Sequence, residues 1–84
     1  MFWKSRKPYK VRMADLMSTI IYEEEGRRMQ VAGEKIGGEV GMTVYTRTMR
    51  WQPPHESTIV TDAEKERIKM NISEALSDVR FVWE

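Results

Sequence analysis

The chain has 84 residues, enough for a single small domain. A domain of this size buries only about 60% of the surface that its unfolded chain exposes, so a deep catalytic cleft is hard to build. The absence of cysteine excludes disulfides, thiolate metal sites and cysteine nucleophiles. No apolar run approaches the roughly 20 residues of a membrane-spanning helix, and the N-terminus lacks the features of a secretory signal. We therefore expect a soluble, cytoplasmic protein that does not associate with membranes.

The net charge of +1 is unevenly distributed along the chain. Residues 1–13 carry five bases and no acid, whereas the remainder holds all 13 acids and only nine of the 14 bases. We predict a flexible basic lead over residues 1–14 and a single domain over residues 15–84. The lead is either an arm for nucleic acid or an acidic partner, or a solvated, frayed terminus.

The first predicted elements form a hairpin. The run LMSTIIY, residues 16–22, is rich in Ile, Thr and Tyr and ends in EEEG, a pattern typical of a strand followed by a turn. Gly26 can adopt a positive φ at no steric cost, so a tight hairpin is expected to close there. In the following RRMQVA, residues 27–32, apolar and polar residues alternate, which predicts a second, half-buried strand.

A glycine-rich loop and the longest predicted strand come next. The segment AGEKIGGE, residues 32–39, holds three glycines, but Glu39 stands where a phosphate-binding loop needs a lysine. The following EVGMTVYTRTMRW, residues 39–51, alternates and predicts a long central strand. Pro53 and Pro54 have no backbone N–H to donate, so this strand must end before them.

The helix carries the clearest local signals. Residues 61–64, TDAE, form a capping box in which Thr61 and Glu64 satisfy each other's backbone amides. Apolar residues then recur at helical spacing, namely Ile68, Ile72, Ala75, Leu76 and Val79. The final VRFVWE, residues 79–84, alternates and predicts a strand at a sheet edge. The order β-β-β-α-β predicts a two-layer α+β fold, a mostly antiparallel four-stranded sheet with one helix packed on one face.

The segment RWQPPHE, residues 50–56, is the first candidate site. Trp51, Pro53, Pro54 and His55 form either a stiff corner with the tryptophan as a lid on the core, or a preorganised, partly apolar epitope for a partner. His55 is the only histidine, so it lacks the partners that a metal site or a catalytic dyad requires. We expect no catalytic residue, no metal site and no cofactor.

Glu23, Glu24 and Glu25 form the second candidate site at the predicted hairpin tip. General acid–base catalysis needs carboxyl groups in distinct environments, one of them partly buried. Three neighbours on an exposed turn are expected to be solvated alike. They are therefore either an acidic contact surface for a basic partner or plain solvated charges.

Three segments carry a resemblance to a known family: GRRMQVAGE, GMTVYTRTMRWQPPHE and IVTDAEKERIKMNISEALSDVRFVWE. Together, over roughly residues 17–84, the chain resembles a family of small α+β immunity proteins of bacterial polymorphic toxin systems. The matching features are a hairpin strand followed by Gly33 and Glu34, a strand entering Trp-x-Pro-Pro-His at residues 51–55, and a capped helix opening at Asp62. Gln52 stands where that pattern has an acidic residue.

The resemblance implies a non-enzymatic protein that binds and neutralises a cognate toxin, with the candidate residues as contact surface. A second hypothesis is a small nucleic-acid-binding module that uses the basic lead and sheet aromatics. The acidic body and the single predicted helix, where RRM-type domains have two, argue against that alternative. A third hypothesis, a small enzyme using His55 with a carboxylate, lacks a catalytic set.

Overall fold

In the described part of the chain, a five-stranded mixed β-sheet with one α-helix on one face forms the fold. The computed structural model describes residues 8–16, 18–36 and 41–84. The strands lie side by side in chain order, antiparallel from the first to the fourth and parallel between the last two. The elements are β1 (Tyr9–Ala14), β2 (Thr19–Glu24), β3 (Arg27–Lys35), β4 (Gly41–Val44), α1 (Asp62–Ala75) and β5 (Arg80–Trp83).

The prediction of an α+β fold with one helix is confirmed, but the prediction of four strands was wrong. The additional strand is β1, which lies within the segment predicted as a flexible lead and pairs with β2. Val11 and Met13 pack against the core from one face of β1, while Lys10 and Arg12 are exposed on the other. The interleaved bases obscured this alternation in the sequence. Residues 1–7 lie outside the described residues.

The β2–β3 hairpin closes as predicted. Glu24 is paired with Arg27, so only Glu25 and Gly26 form the turn, with φ angles of 50° and 77°. Two successive positive φ angles match the right-handed twist of the flanking strands, and glycine makes the second one easy to adopt. The register places Ile20 and Tyr22 on the same face as their partners in β3, where they form the centre of the core.

The predicted glycine-rich loop begins too early, because β3 continues to Lys35. Gly33 is paired with Val44, and a Cβ at this position would collide with the backbone carbonyl oxygen of Thr43 in β4. The glycine is therefore needed because the neighbouring strand approaches its backbone closely. Residues 37–39 of the predicted loop lie outside the described residues.

The strand predicted over residues 39–51 is present but shorter than predicted, because the chain leaves the sheet after β4. A 3₁₀ turn, Thr46–Thr48, follows, and Trp51 rejoins the sheet through an isolated bridge to β3. Inside the turn, the Thr48 hydroxyl accepts a hydrogen bond from Ala32 N–H at 2.9 Å and donates to a carbonyl of its own segment at 2.7 Å. A side chain thus replaces the backbone partner that a continuous strand would have supplied.

Helix α1 begins at the predicted capping box. The backbone N–H of Glu64 donates to Thr61 Oγ1 at 3.1 Å, and the N–H of Thr61 donates to Glu64 Oε1 at 3.0 Å. Ile68 and Ile72 are fully buried against the sheet, as their spacing predicts. Ala75, assigned to the same stripe from the sequence, is exposed where the helix ends.

Replacing Thr61 with alanine tests the helix start. We expect Thr61→Ala to lower the free energy of unfolding by about 1 kcal/mol, because the backbone N–H of Glu64 loses its acceptor, the Thr61 hydroxyl. Urea unfolding followed by circular dichroism measures the change. Thr58→Ala, an exposed threonine outside the helix, is the matched control and should change stability by less than about 0.5 kcal/mol. Equal effects of the two substitutions would contradict the cap.

Candidate functional site

The two candidate sites lie at the same end of the sheet. We call residues 52–55 the proline corner and residues 23–25 the acidic tip. The corner begins beside the first residues of β3, since Gln52 N–H donates to Arg28 O at 2.8 Å. The Glu25–Gly26 turn directly precedes those residues. Segments separated by about 30 positions in the chain thus lie on either side of the start of β3.

Trp51 is part of the core rather than the surface. Its side chain is only 2% exposed, and its ring lies against Tyr22 with centroids 6.4 Å apart. The Arg27 guanidinium covers the ring, 4.2 Å from its centroid. The indole Nε1–H is buried and has no hydrogen-bond partner among the residues that the structure describes. Of the two interpretations left open by the sequence, the geometry favours the lid on the core for this residue.

The rest of the proline corner is at the surface. Pro53 and Pro54 are exposed and joined by a cis peptide bond, and His55 is half-buried. The corner is held by its own backbone, because His55 N–H donates to Gln52 O at 2.9 Å and Thr58 N–H donates to His55 O at 3.0 Å. The corner is therefore an apolar, proline-containing bend at the surface that directly follows the buried Trp51 in the chain.

The acidic tip is not uniformly solvated, which corrects the expectation from the sequence. Glu24 is 5% exposed and pairs with Arg67 of α1 through two hydrogen bonds of 2.5 and 2.9 Å. It also accepts a 2.6 Å hydrogen bond from the Tyr22 hydroxyl and a 3.2 Å hydrogen bond from Arg27. Asn71 of α1 in turn donates to the Tyr22 hydroxyl at 2.8 Å. This network joins the β2–β3 hairpin to the helix.

The network keeps Glu24 ionised. Burial by itself raises the pKa of the Glu24 carboxyl, but the hydrogen bonds from Arg67 and Tyr22, with the charges of Arg67 and Arg27, outweigh it and leave the pKa below its ordinary value. For the Tyr22 hydroxyl, burial and its hydrogen bond to Glu24 raise the pKa. A carboxylate with a lowered pKa is a poor proton donor, so Glu24 acts as a structural anchor rather than a general acid.

The other two acids of the tip differ in exposure. The Glu23 carboxylate pairs with Arg28 at 2.7 Å on the face of the sheet opposite the helix. Glu25 is 75% exposed, and its carboxylate lies 3.6 Å from the Arg27 guanidinium. Within the acidic tip, Glu25 therefore presents its charge most fully to solvent.

The sequence analysis missed the residues that organise this end of the molecule. Arg67 and Asn71 occupy polar positions of the helix, and nothing in the local sequence marks them as partners of Tyr22 and Glu24. It also missed the β1–β2 turn, where Leu16 has a φ of 54° and is 94% exposed. The available signal was the Asp15 and Ser18 pair that frames this turn, since both residue types favour turns.

Two kinds of feature are absent from the described residues. No group of three or more histidines, cysteines or carboxylates among them could hold a metal ion. No helix in the described part of the chain is long and apolar enough to cross a membrane. The open groove beside the acidic tip is lined by Pro8, Tyr9, Lys10, residues 23–25 and Gly26.

Comparison with known proteins adds one finding. The family model described as Immunity protein 74 matches residues 10–84. The match therefore includes nearly all of β1, the acidic tip, the proline corner, the helix and β5. No curated protein and no solved structure matches the chain. The match covers far more than half of the 84 residues, and the chain therefore belongs to the Immunity protein 74 family.

Proposed function

We propose that this protein is a non-enzymatic immunity protein that binds and neutralises a cognate toxin of a bacterial polymorphic toxin system. Membership of the Immunity protein 74 family is the single observation that carries the proposal. An immunity protein acts on a toxin in the cell that it protects, so the proposed location is the cytoplasm. The small size and the exposed, stiff segments are consistent with a protein that works by occupying a surface of its partner.

The proposed contact surface is the proline corner together with the acidic tip. The bend is apolar at Pro53 and Pro54 and polar at His55. The exposed carboxylate of Glu25 supplies negative charge beside it. A segment that is already ordered loses little conformational entropy on binding. The complementary surface on the toxin would therefore be partly apolar and carry basic residues.

Trp51 and Glu24 have an indirect role in this proposal. Both are buried, so neither is offered to a partner in the free protein. Trp51 supports the corner from below, and Glu24 fixes the hairpin that carries Glu25. Their substitution would reduce binding by disturbing the surface, whereas substitution of exposed residues would reduce it directly.

The test is a titration of the purified protein with the toxin domain encoded beside its gene. We expect Glu25→Lys and His55→Ala each to weaken binding about tenfold, and the double variant to weaken it further. Glu25→Lys reverses a charge at the rim of the surface, and His55→Ala removes a side chain that anchors the partner. Asp78→Lys is the matched control, since Asp78 is an exposed acid near the opposite end of α1. Calorimetry measures affinity, and circular dichroism checks folding.

The possible outcomes distinguish an error in the proposed contact surface from an error in the proposed function. Tight binding by the native protein that survives both substitutions would show that the proposed surface is wrong. No binding of the toxin domain, and no protection of cells that express it, would overturn the proposed function itself. A loss of affinity in Asp78→Lys equal to that in Glu25→Lys would assign the effect to overall charge.

A further inference from the structure

Strand β5 is an edge of the sheet in the described part of the chain. Its only strand neighbour there is β4. Glu84, which follows β5, donates its N–H to Val44 O at 2.8 Å and accepts from Thr46 N–H at 2.5 Å, so its backbone faces inward. Successive residues of a strand direct their backbone groups to alternate sides. The backbone N–H and C=O groups of Phe81 and Trp83 therefore point away from the sheet.

The side chains along this edge differ between the two faces. Phe81 and Trp83 are half-buried on the helix side, with their rings stacked at a centroid distance of 5.1 Å. On the opposite face Val82 is 48% exposed, between Arg80 and Glu84. The segment thus carries a base at one end, an acid at the other and an exposed apolar residue midway between them.

We propose that β5 pairs antiparallel with β5 of a second copy of this chain, around a two-fold axis at Val82. In that register Phe81 of each copy faces Trp83 of the other, and the outward backbone groups form four hydrogen bonds. Arg80 of each copy faces Glu84 of the other, so the charges that flank the edge attract across the axis. Centring the axis on Phe81 instead would place Arg80 opposite Val82 and lose both charge pairs.

The surface beside the edge supplies further contacts. A groove next to Trp83 is lined by Glu66, Lys69, Met70 and Ser73 of α1. This side of the helix is opposite the side that holds Arg67 and Asn71 against β2. Met70 is 73% exposed there, although its side chain is large and apolar. Pairing of the two edges brings the two grooves together on the helix face, where the aromatic side chains of both copies adjoin.

These contacts are required for stability of the pair. Stable interfaces bury about 1,200–2,000 Å² in total, which a pair of four-residue strands does not reach alone. The apolar groove on the helix face therefore has to take part. The occupant is a second copy rather than an unrelated strand because the charge pattern of β5 is complementary to its own reverse.

Sedimentation velocity of the full chain, without any toxin, tests the proposal over about 5–500 μM, a range that brackets micromolar association. We expect twice the monomer mass of 9.9 kDa at the upper end. Val82→Lys places two like charges opposite each other on the axis and should raise the dimer Kd at least tenfold. Leu16→Lys is the matched control, because Leu16 is an exposed apolar residue at the opposite edge of the sheet, and its dimer should be unchanged.

A charge exchange tests the register. Arg80→Glu and Glu84→Arg should each weaken the dimer, because each places like charges opposite one another, and the double variant should restore it. Circular dichroism confirms that the variants remain folded. A native protein that is monomeric throughout, a dimer indifferent to Val82→Lys, or a double variant that fails to recover would each overturn the proposal. A monomer whose toxin binding is lost in Val82→Lys would assign the edge to the toxin instead.

Discussion

Trp51→Ala is expected to lower the free energy of unfolding by about 3–5 kcal/mol, the range for removing a large aromatic side chain from a core. Trp51 is 2% exposed and contacts both Tyr22 and the guanidinium of Arg27. Small domains lie toward the low end of the usual ~5–15 kcal/mol of stability. This loss would therefore remove most of the free energy that stabilises the folded protein. Urea unfolding monitored by far-ultraviolet circular dichroism gives the number without relying on tryptophan fluorescence.

Trp51→Phe is the control for this experiment. It keeps an aromatic ring in the core and removes the indole N–H, which is buried without a hydrogen-bond partner. Losing an unsatisfied donor offsets part of the packing loss, so we expect a cost below about 2 kcal/mol. A change of less than about 1 kcal/mol in Trp51→Ala would contradict the buried position of this residue.

The Trp51 result also governs how binding data are interpreted. A toxin-binding defect in Trp51→Ala would accompany a large loss of stability, and so would not identify Trp51 as a contact. A defect in His55→Ala or Glu25→Lys without loss of stability would identify one. Substitutions of His55 and Glu25 therefore give the direct test of the proposed surface, and substitution of the buried Trp51 does not.

Glu24→Gln is expected to lower stability by about 2–3 kcal/mol at neutral pH. The substitution keeps the shape of the side chain but removes the charge that pairs with Arg67 and Arg27. Breaking a fully buried pair costs more, about 3–5 kcal/mol, but the Arg67 side chain is 46% exposed and recovers hydration. Glu25→Gln is the matched control, because Glu25 lies in the same hairpin and its carboxylate is exposed, and its effect should stay within about 0.5 kcal/mol.

The stability difference between the native protein and Glu24→Gln also has a defined pH dependence. The pKa of Glu24 in the folded protein lies below its ordinary value of 4.5. A lowered folded pKa contributes stability that is fully present above the unfolded pKa and is lost as the pH falls through the folded one. The stability difference between the native protein and Glu24→Gln should therefore be constant above about pH 6 and shrink steadily below 4.5. A difference that grows on acidification would contradict an ionised Glu24.

Local sequence signals accounted for the elements whose interactions span only a few residues. The capping box of Thr61 and Glu64 and the spacing of Ile68 and Ile72 define α1 within one segment. The turn at Glu25 and Gly26 follows from glycine's tolerance of a positive φ. The resemblance to an immunity protein family also came from the sequence, and the family match confirms it.

Other features depended on partners that are remote in the chain. Glu24 is buried because Arg67, 43 residues later, neutralises it, so three consecutive glutamates look alike in the sequence but differ in the fold. The predicted long strand breaks where Thr48 bonds to the backbone of Ala32, 16 residues earlier. Strand β1 was hidden because its apolar residues are separated by bases and the strand is defined by its pairing with β2.

By itself, the sequence determined the α+β class, the helix with its cap, the hairpin turn and the family. The helix, its cap and the hairpin turn follow from backbone preferences and from hydrogen bonds between near neighbours, which a short segment specifies, and the family follows from the resemblance along the chain. Only the tertiary structure decided that Trp51 is buried, that the acidic tip and the proline corner share one end of the sheet, and that β5 pairs parallel with β4. Burial and ion pairing depend on which distant side chains meet, and the chain specifies that only when all of its elements pack together.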